Sequence, residues 1–292
     1  MTTQTSSRKL SGLAAALAVL ALLATAGAAR AQFGGLKKIK EKAETAQKAL
    51  APMTVEEEKE VGREVAAKLI AAVGLVPDDA LIDYVNLVGG TVAAQSERQV
   101  VPYRFAVLNS DTINAFSAPG GYIFITKGAL LLCEDEAELA GVLAHEVGHV
   151  SGRHVLKIYE RDKAMRAGMD EAGSRMPGSQ YLQDFSKKIL IKVIDQGLVE
   201  GDEYDADQRG VKYAHAAGYP ADGLARFLTK LDQATAHGKS SFWTKTHPPI
   251  AQRNDRIAKN VADQQWQDAD KPKLADRYTA ETKIVRAPGV SL

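Results

Sequence analysis

A single cysteine in 292 residues is the first constraint. Cys133 has no partner for an internal disulfide, so stability must come from a packed core. Set in LLLCEDE, the thiol suits a small buried hydrophobe at a helix start better than a nucleophile. An excess of one charge sign is also missing: 37 Lys and Arg stand against 36 Asp and Glu. With no basic block either, the electrostatic footprint of a nucleic-acid binder is excluded. Beyond Ala28 no apolar run reaches membrane-spanning length, the longest candidate, 189–199, being broken by Lys192, Asp195 and Gln196. The remainder, 45% hydrophobic and 25% charged, can bury a core as one large domain or two small ones.

The one long apolar run is N-terminal. Arg8 and Lys9 precede an Ala/Leu stretch from Leu10 to about Ala28, which closes on Ala29-Arg30-Ala31. That is the n-region, h-region and A-x-A pattern of a signal peptide, 1–31. An uncleaved anchor is the alternative, and the small-x-small ending favours removal, with a soluble mature chain starting at Gln32. No cysteine lies near the cleavage site, so a lipid-anchored precursor is excluded. Residues 32–53 form a Lys/Ala-rich lead-in, 54–263 the domain, and 264–292 a tail without periodic signal.

Within the domain, Thr54 and Glu57 make a capping box ahead of a helix running to Gly74, and Pro77-Asp78 opens a second with Leu81, Tyr84, Val85 and Val88 on one face. Residues 103–108 alternate as a strand, and NAFSAPGGYIFIT, 114–126, reads as two short strands joined through Pro119-Gly120-Gly121. These fit an ordinary hairpin, and their edge could also take an extended peptide by strand addition. A long helix is expected from Glu134, with acidic residues in its first turn. Residues 161–183 look like a polar excursion, with helical spacing over 185–217, 221–236 and 249–262.

Against these absences stands ELAGVLAHEVGH, 138–149, which holds two of only six histidines. His145 and His149, at i and i+4, share one helix face and can point two imidazoles at one metal ion. Glu146, about 100° further round, cannot easily join them but can accept a proton from water activated there. A histidine pair capping a core is the plainer alternative, and it leaves a carboxylate amid Val142, Leu143 and Val147 unexplained. A catalytic zinc needs a third protein ligand and an open position. EYDAD, 203–207, offers Glu203 to coordinate and Asp207, again at i+4, to accept a ligand's ring N–H. Taken alone, such an acidic run is equally a solvated face. Two imidazoles and a carboxylate would also bind divalent metals other than zinc.

Together NAFSAPGGYIFITKGALL, EAELAGVLAHEVGHVSGRH, EYDADQRG, AGYP and THPPIAQR resemble the M48 family of zinc metallopeptidases, in its exported soluble branch. The resemblance covers 54 to about 257. It implies an α+β, zincin-like fold, mostly helical with a small mixed sheet beside the HExxH helix, and an endopeptidase with one zinc. By its pattern His145, His149 and Glu203 match the zinc ligands, Glu146 the catalytic base and Asp207 the supporting carboxylate. Asn114, Ala115, Phe116, Ser117, Gly120 and Gly121 would border the substrate cleft. His247 would return to the site as a reversible fourth ligand or oxyanion stabiliser, with Arg253 behind it on the substrate side. Read alone, His247 before two prolines sits in an extended segment, where a structural role is equally open. His154, at i+5 from His149, points off the ligand face and reads as structural.

One departure stands out: relatives often carry Ser-Arg where this chain has Val199-Glu200, which puts that arginine's role in doubt and leaves the ligands intact. The implied substrates are unfolded or misassembled envelope proteins in the periplasm, near the outer membrane or its assembly machinery. Two rivals stay open: a chaperone-like client binder with cleavage latent or gated by His247, and a purely structural zinc site closed by that histidine.

Overall fold

A computed structural model describes residues 51–167, 178–191, 198–237, 247–266, 268 and 270–286. The expected signal peptide and nearly all of the lead-in lie outside the described residues, as does the middle of the 161–183 stretch. Residues 52–162 and 171–292 form one compact unit, and of the other, 1–51 with 163–170, only Ala51 and 163–167 are described. Among the described residues no helix is long and apolar enough to cross a membrane.

Helix α1, Val55–Val73, begins with the expected capping box: the Thr54 hydroxyl accepts from the Glu57 N–H, and the Glu57 carboxylate accepts from the Thr54 N–H at 2.9 Å. Gly74, at φ +81°, ends it, a backbone conformation that costs glycine little. Helix α2, Asp79–Ala93, is capped by Asp78 and buries Leu81, Tyr84, Val85 and Val88. Three strands follow, β1 (Arg104–Leu108), β2 (Ala115–Ala118) and β3 (Tyr122–Thr126). Their order is β1-β3-β2, with β1 parallel and β2 antiparallel to β3. The sheet is small and mixed, as expected, and β2 is an edge.

A short helix, α3 (Lys127–Leu132), then precedes α4 (Glu136–Ser151), which is capped by Asp135 and buried from Glu136 to Val150. Two expectations are corrected here: Cys133 ends α3 instead of starting a helix, and the long helix begins two residues after Glu134. Glu134 and Cys133 are kept out because the Asp135 carboxylate accepts from the Glu138 N–H at 2.9 Å and fixes the N-cap. A helix buried all round forms the centre of its domain. Around it lie α5 (His154–Ala167), α6 (Gly178–Ile191), α7 (Glu200–Ala216), α8 (Gly223–Ala236) and α9 (Ile250–Asp263). The stretch expected to be an excursion is therefore helical at both ends, because 161–167 holds good helix formers and no Gly or Pro.

The supposed tail also folds onto the domain, as α10 (Ala275–Glu281) and α11 (Lys283–Arg286). Arg277 pairs with the buried Glu136, the Tyr278 hydroxyl donates to the Leu130 carbonyl, and Arg286 donates to the Cys133 carbonyl. Elements this short give periodicity too few turns to register.

Two close approaches set the geometry of the site. A Cβ on Gly210 of α7 would sit 2.7 Å from the His145 nitrogen of α4, so glycine lets these two helices nearly touch. On α1, a Cβ at Gly62 would fall 1.8 Å from the Pro119 carbonyl oxygen, against backbone that cannot swing aside. Gly62→Ala is therefore expected to destabilise the protein by about 1–3 kcal/mol through overpacking, read as a lowered midpoint in thermal or urea unfolding. An unchanged midpoint would mean that α1 does not rest on this turn in solution.

Candidate active site

Helix α4 brings the rings of His145 and His149 together, with their Nε2 atoms 3.1 Å apart. Because α7 packs on the same face, the Glu203 carboxylate lies 3.6 Å from each of these nitrogens. From the segment before α9, His247 Nε2 comes within 3.2 Å of Glu203 Oε2. Tetrahedral zinc at 2.0–2.1 Å from its ligands would space donors by roughly 3.3 Å, close to the separations seen.

The chemistry of the donors also fits a cation. Glu203 is 1% exposed, and its Oε2 is buried without a hydrogen bond. Burial drives this carboxyl well above its ordinary range; Arg253 opposes the shift, and the charges on Asp207, Glu146 and Asp202 add to it. Such a group calls for a positive partner. Burial likewise holds His145 and His149 below the usual imidazole value, and neutral rings are what a metal requires. The Asp207 Oδ1 lies 2.9 Å from His145 Nδ1, so Nδ1 carries the proton and Nε2 offers its lone pair.

Asp207 is in turn gripped by Arg253, whose Nε and Nη2 donate at 2.9 and 2.6 Å. Burial alone would raise the Asp207 carboxyl, and the charge and hydrogen bonds of Arg253 outweigh it and hold it well below the carboxylate range. Arg253 is 0% exposed. The expectation that it faces substrate is corrected, because the Asp207 carboxylate draws it behind His145. Val199 is exposed and Glu200 accepts a hydrogen bond from Tyr204, so neither supplies the missing arginine.

Glu146 is 2% exposed. Burial pushes its carboxyl up to about 8, while a hydrogen bond from Ser117 and the charge of Arg253 pull the other way. That hydrogen bond ties the base to edge strand β2. Along β2, Asn114 and Ala115 are buried, and Phe116 packs on Phe124 with ring centroids 5.8 Å apart. Gly120 and Gly121 are packed against protein: the Gly120 N–H donates to Glu58 at 2.9 Å, and a Cβ on Gly121 would meet the Pro102 carbonyl at 2.4 Å. Their φ of +75° and +85° makes them the glycines of the turn.

His154 keeps its expected place off the ligand face, and Asp205 beside it is the one residue of this group the sequence does not single out. His154 Nδ1 lies 2.8 Å from His149 Nδ1, and its Nε2 lies 3.0 Å from Asp205 Oδ2. The sequence signals are only the first histidine after the motif, His154, and the central residue of EYDAD, Asp205.

The family model described as Peptidase family M48 matches residues 80–261. The chain is similar to the beta-barrel assembly-enhancing protease of Yersinia pestis, 27% identical over 73% of this chain and 46% of that protein. It is also similar to the mitochondrial metalloendopeptidase OMA1 of Arabidopsis thaliana, 40% identical over 57% of this chain and 33% of that protein. Metalloprotease LoiP of Escherichia coli is 28% identical over 59% of this chain and 66% of its own length. The chain thus spans under half the length of the beta-barrel assembly-enhancing proteases it matches.

Proposed function

The chain belongs to peptidase family M48, and from that premise we propose that it is a zinc-dependent endopeptidase acting on unfolded or misassembled envelope proteins. The observation that carries this reading is the convergence of His145, His149 and Glu203 beside a buried glutamate, Glu146. His145, His149 and Glu203 would hold the metal, and donor atoms of His145, Glu203 and His247 also lie within 4.8 Å of one another. Bound there, zinc supplies a Lewis acid that polarises a carbonyl and makes water acidic near neutral pH. Glu146 takes the proton of the attacking water and returns it to the leaving nitrogen. Asp207 keeps His145 in the ligating tautomer, and Arg253 keeps Asp207 ionised.

The edge position of β2 would let an extended substrate pair through its main chain. Backbone pairing is indifferent to sequence, which favours unfolded clients. The relatives' name, beta-barrel assembly-enhancing protease, supports a client drawn from β-barrel assembly, and the N-terminal signal pattern supports an exported chain that meets such clients in the periplasm.

The chain from Gln32 should cleave casein, lose activity to a chelator and regain it with added zinc. A zinc-loaded protein that leaves casein intact sinks the protease reading. The 3.2 Å approach of His247 to Glu203 favours one rival, a client binder whose cleavage is gated by His247. Under it the wild type suppresses client aggregation without cutting, and His247→Ala cuts.

A further inference from the structure

The two histidine ligands are backed differently. His145 leans on a carboxylate, Asp207. His149 leans on another imidazole, His154, which is 0% exposed. The proton order along that chain can be worked out from its far end. Asp205 accepts from Arg209 Nε at 2.6 Å, and an ionised carboxylate can only accept. His154 Nε2, 3.0 Å from Asp205 Oδ2, must therefore donate. In a neutral ring its Nδ1 is then the bare nitrogen, and His149 Nδ1, 2.8 Å away, donates to it. His149 Nε2 is left with its lone pair, aimed at the point that His145 Nε2 and Glu203 also face.

The backbone is shaped around this chain. Helix α4 ends at Ser151, and Arg153 adopts φ +56°, a left-handed conformation that a non-glycine residue enters at a cost. The turn swings His154 back beneath His149. A Cβ on Gly152 would come within 2.3 Å of His154 Nε2 and 2.9 Å of Asp205 Oδ2, so any other residue there would have to displace one of these two side chains.

We propose that His154, held by Asp205, is a positioning residue that fixes the tautomer and ring orientation of His149 and thereby sets metal affinity. The proposal rests on the zinc reading above, and the test separates the two. Zn²⁺ affinity of the full chain is measured by competition with a chromogenic chelator, alongside the visible spectrum of the Co²⁺-loaded protein. His154→Phe, which fills the space without accepting a hydrogen bond, should weaken Zn²⁺ binding about 10–100-fold and alter the Co²⁺ spectrum. His154→Asn, whose Oδ1 can accept where Nδ1 did, should recover most of the loss.

Wild-type Zn²⁺ affinity and an unchanged Co²⁺ spectrum in His154→Phe, even with a lowered Tm, would overturn the proposal and leave His154 a packing residue. Should His154→Phe fail to fold, the pair Asp202→Ala and Asp205→Ala serves instead. Both carboxylates are needed because Asp202 Oδ1 lies 3.8 Å from the same His154 nitrogen. Weakened Zn²⁺ binding in that variant supports the chain, and unchanged binding overturns it. A wild type that takes up no Zn²⁺ strikes the metal reading itself, whereas a zinc-binding wild type matched by His154→Phe strikes only this inference.

Discussion

Glu146→Gln should lower casein cleavage by about 10²–10⁴-fold while leaving Zn²⁺ content and affinity at the wild-type level. The substitution is nearly isosteric and removes one capability, the acceptance of a proton. Glutamine can still accept the hydrogen bond from Ser117 that Glu146 receives, so the link between α4 and β2 survives. Glu146 sits next to His145 in sequence and about 100° around the helix from it, off the face that carries His145 and His149. Activity and metal retention are measured on one preparation, and their combination decides. Cleavage lost with zinc kept assigns Glu146 as the base. Cleavage and zinc lost together would make it a ligand or a structural prop, and full cleavage by the variant would move the base elsewhere.

How legible this site is from sequence depends on how many elements each part spans. His145, Glu146 and His149 lie on one helix, so helical spacing alone gives their geometry. Glu203 and Asp207 share a second helix, and their spacing shows that both can face one point without saying which point. That information resides in the contact of α4 with α7, which glycines such as Gly210 permit. His154 stays off the ligand face, as its spacing predicts, but its contact with His149 is not legible, because the left-handed Arg153 reverses the chain beyond Ser151. The substrate-side expectation for Arg253 comes from the THPPIAQR resemblance, and its burial against Asp207 follows only from packing. The sheet was readable from alternation and the Pro-Gly-Gly turn. The short α3, α10 and α11 were not, since seven residues or fewer hold at most about two helical turns.

Arg253→Met should destabilise the protein by about 3–5 kcal/mol, the usual cost of breaking a buried ion pair by removing one partner. In a domain of this size each kcal/mol shifts Tm by about 2–4 °C, so the fall should be on the order of 10 °C. The cause is less the lost attraction than the carboxylate left behind. Asp207 is 3% exposed and neighbours another buried carboxylate, Glu203. With Arg253 gone, the remaining hydrogen bond to Asp207 is from His145, and burial then favours protonating the carboxyl. A protonated Asp207 can donate to His145 Nδ1, which would free the opposite tautomer and turn Nε2 from lone pair to N–H. Loss of stability and loss of Zn²⁺ affinity should therefore appear together in the single variant. Adding Asp207→Asn removes the stranded charge and should recover much of the stability, while Zn²⁺ affinity stays reduced because an amide orients His145 more weakly than a carboxylate. Equal Tm values for wild type and Arg253→Met would mean the pair is solvated in solution. A double variant as unstable as the single would show that the cost comes from the cavity left by the guanidinium and has nothing to do with charge.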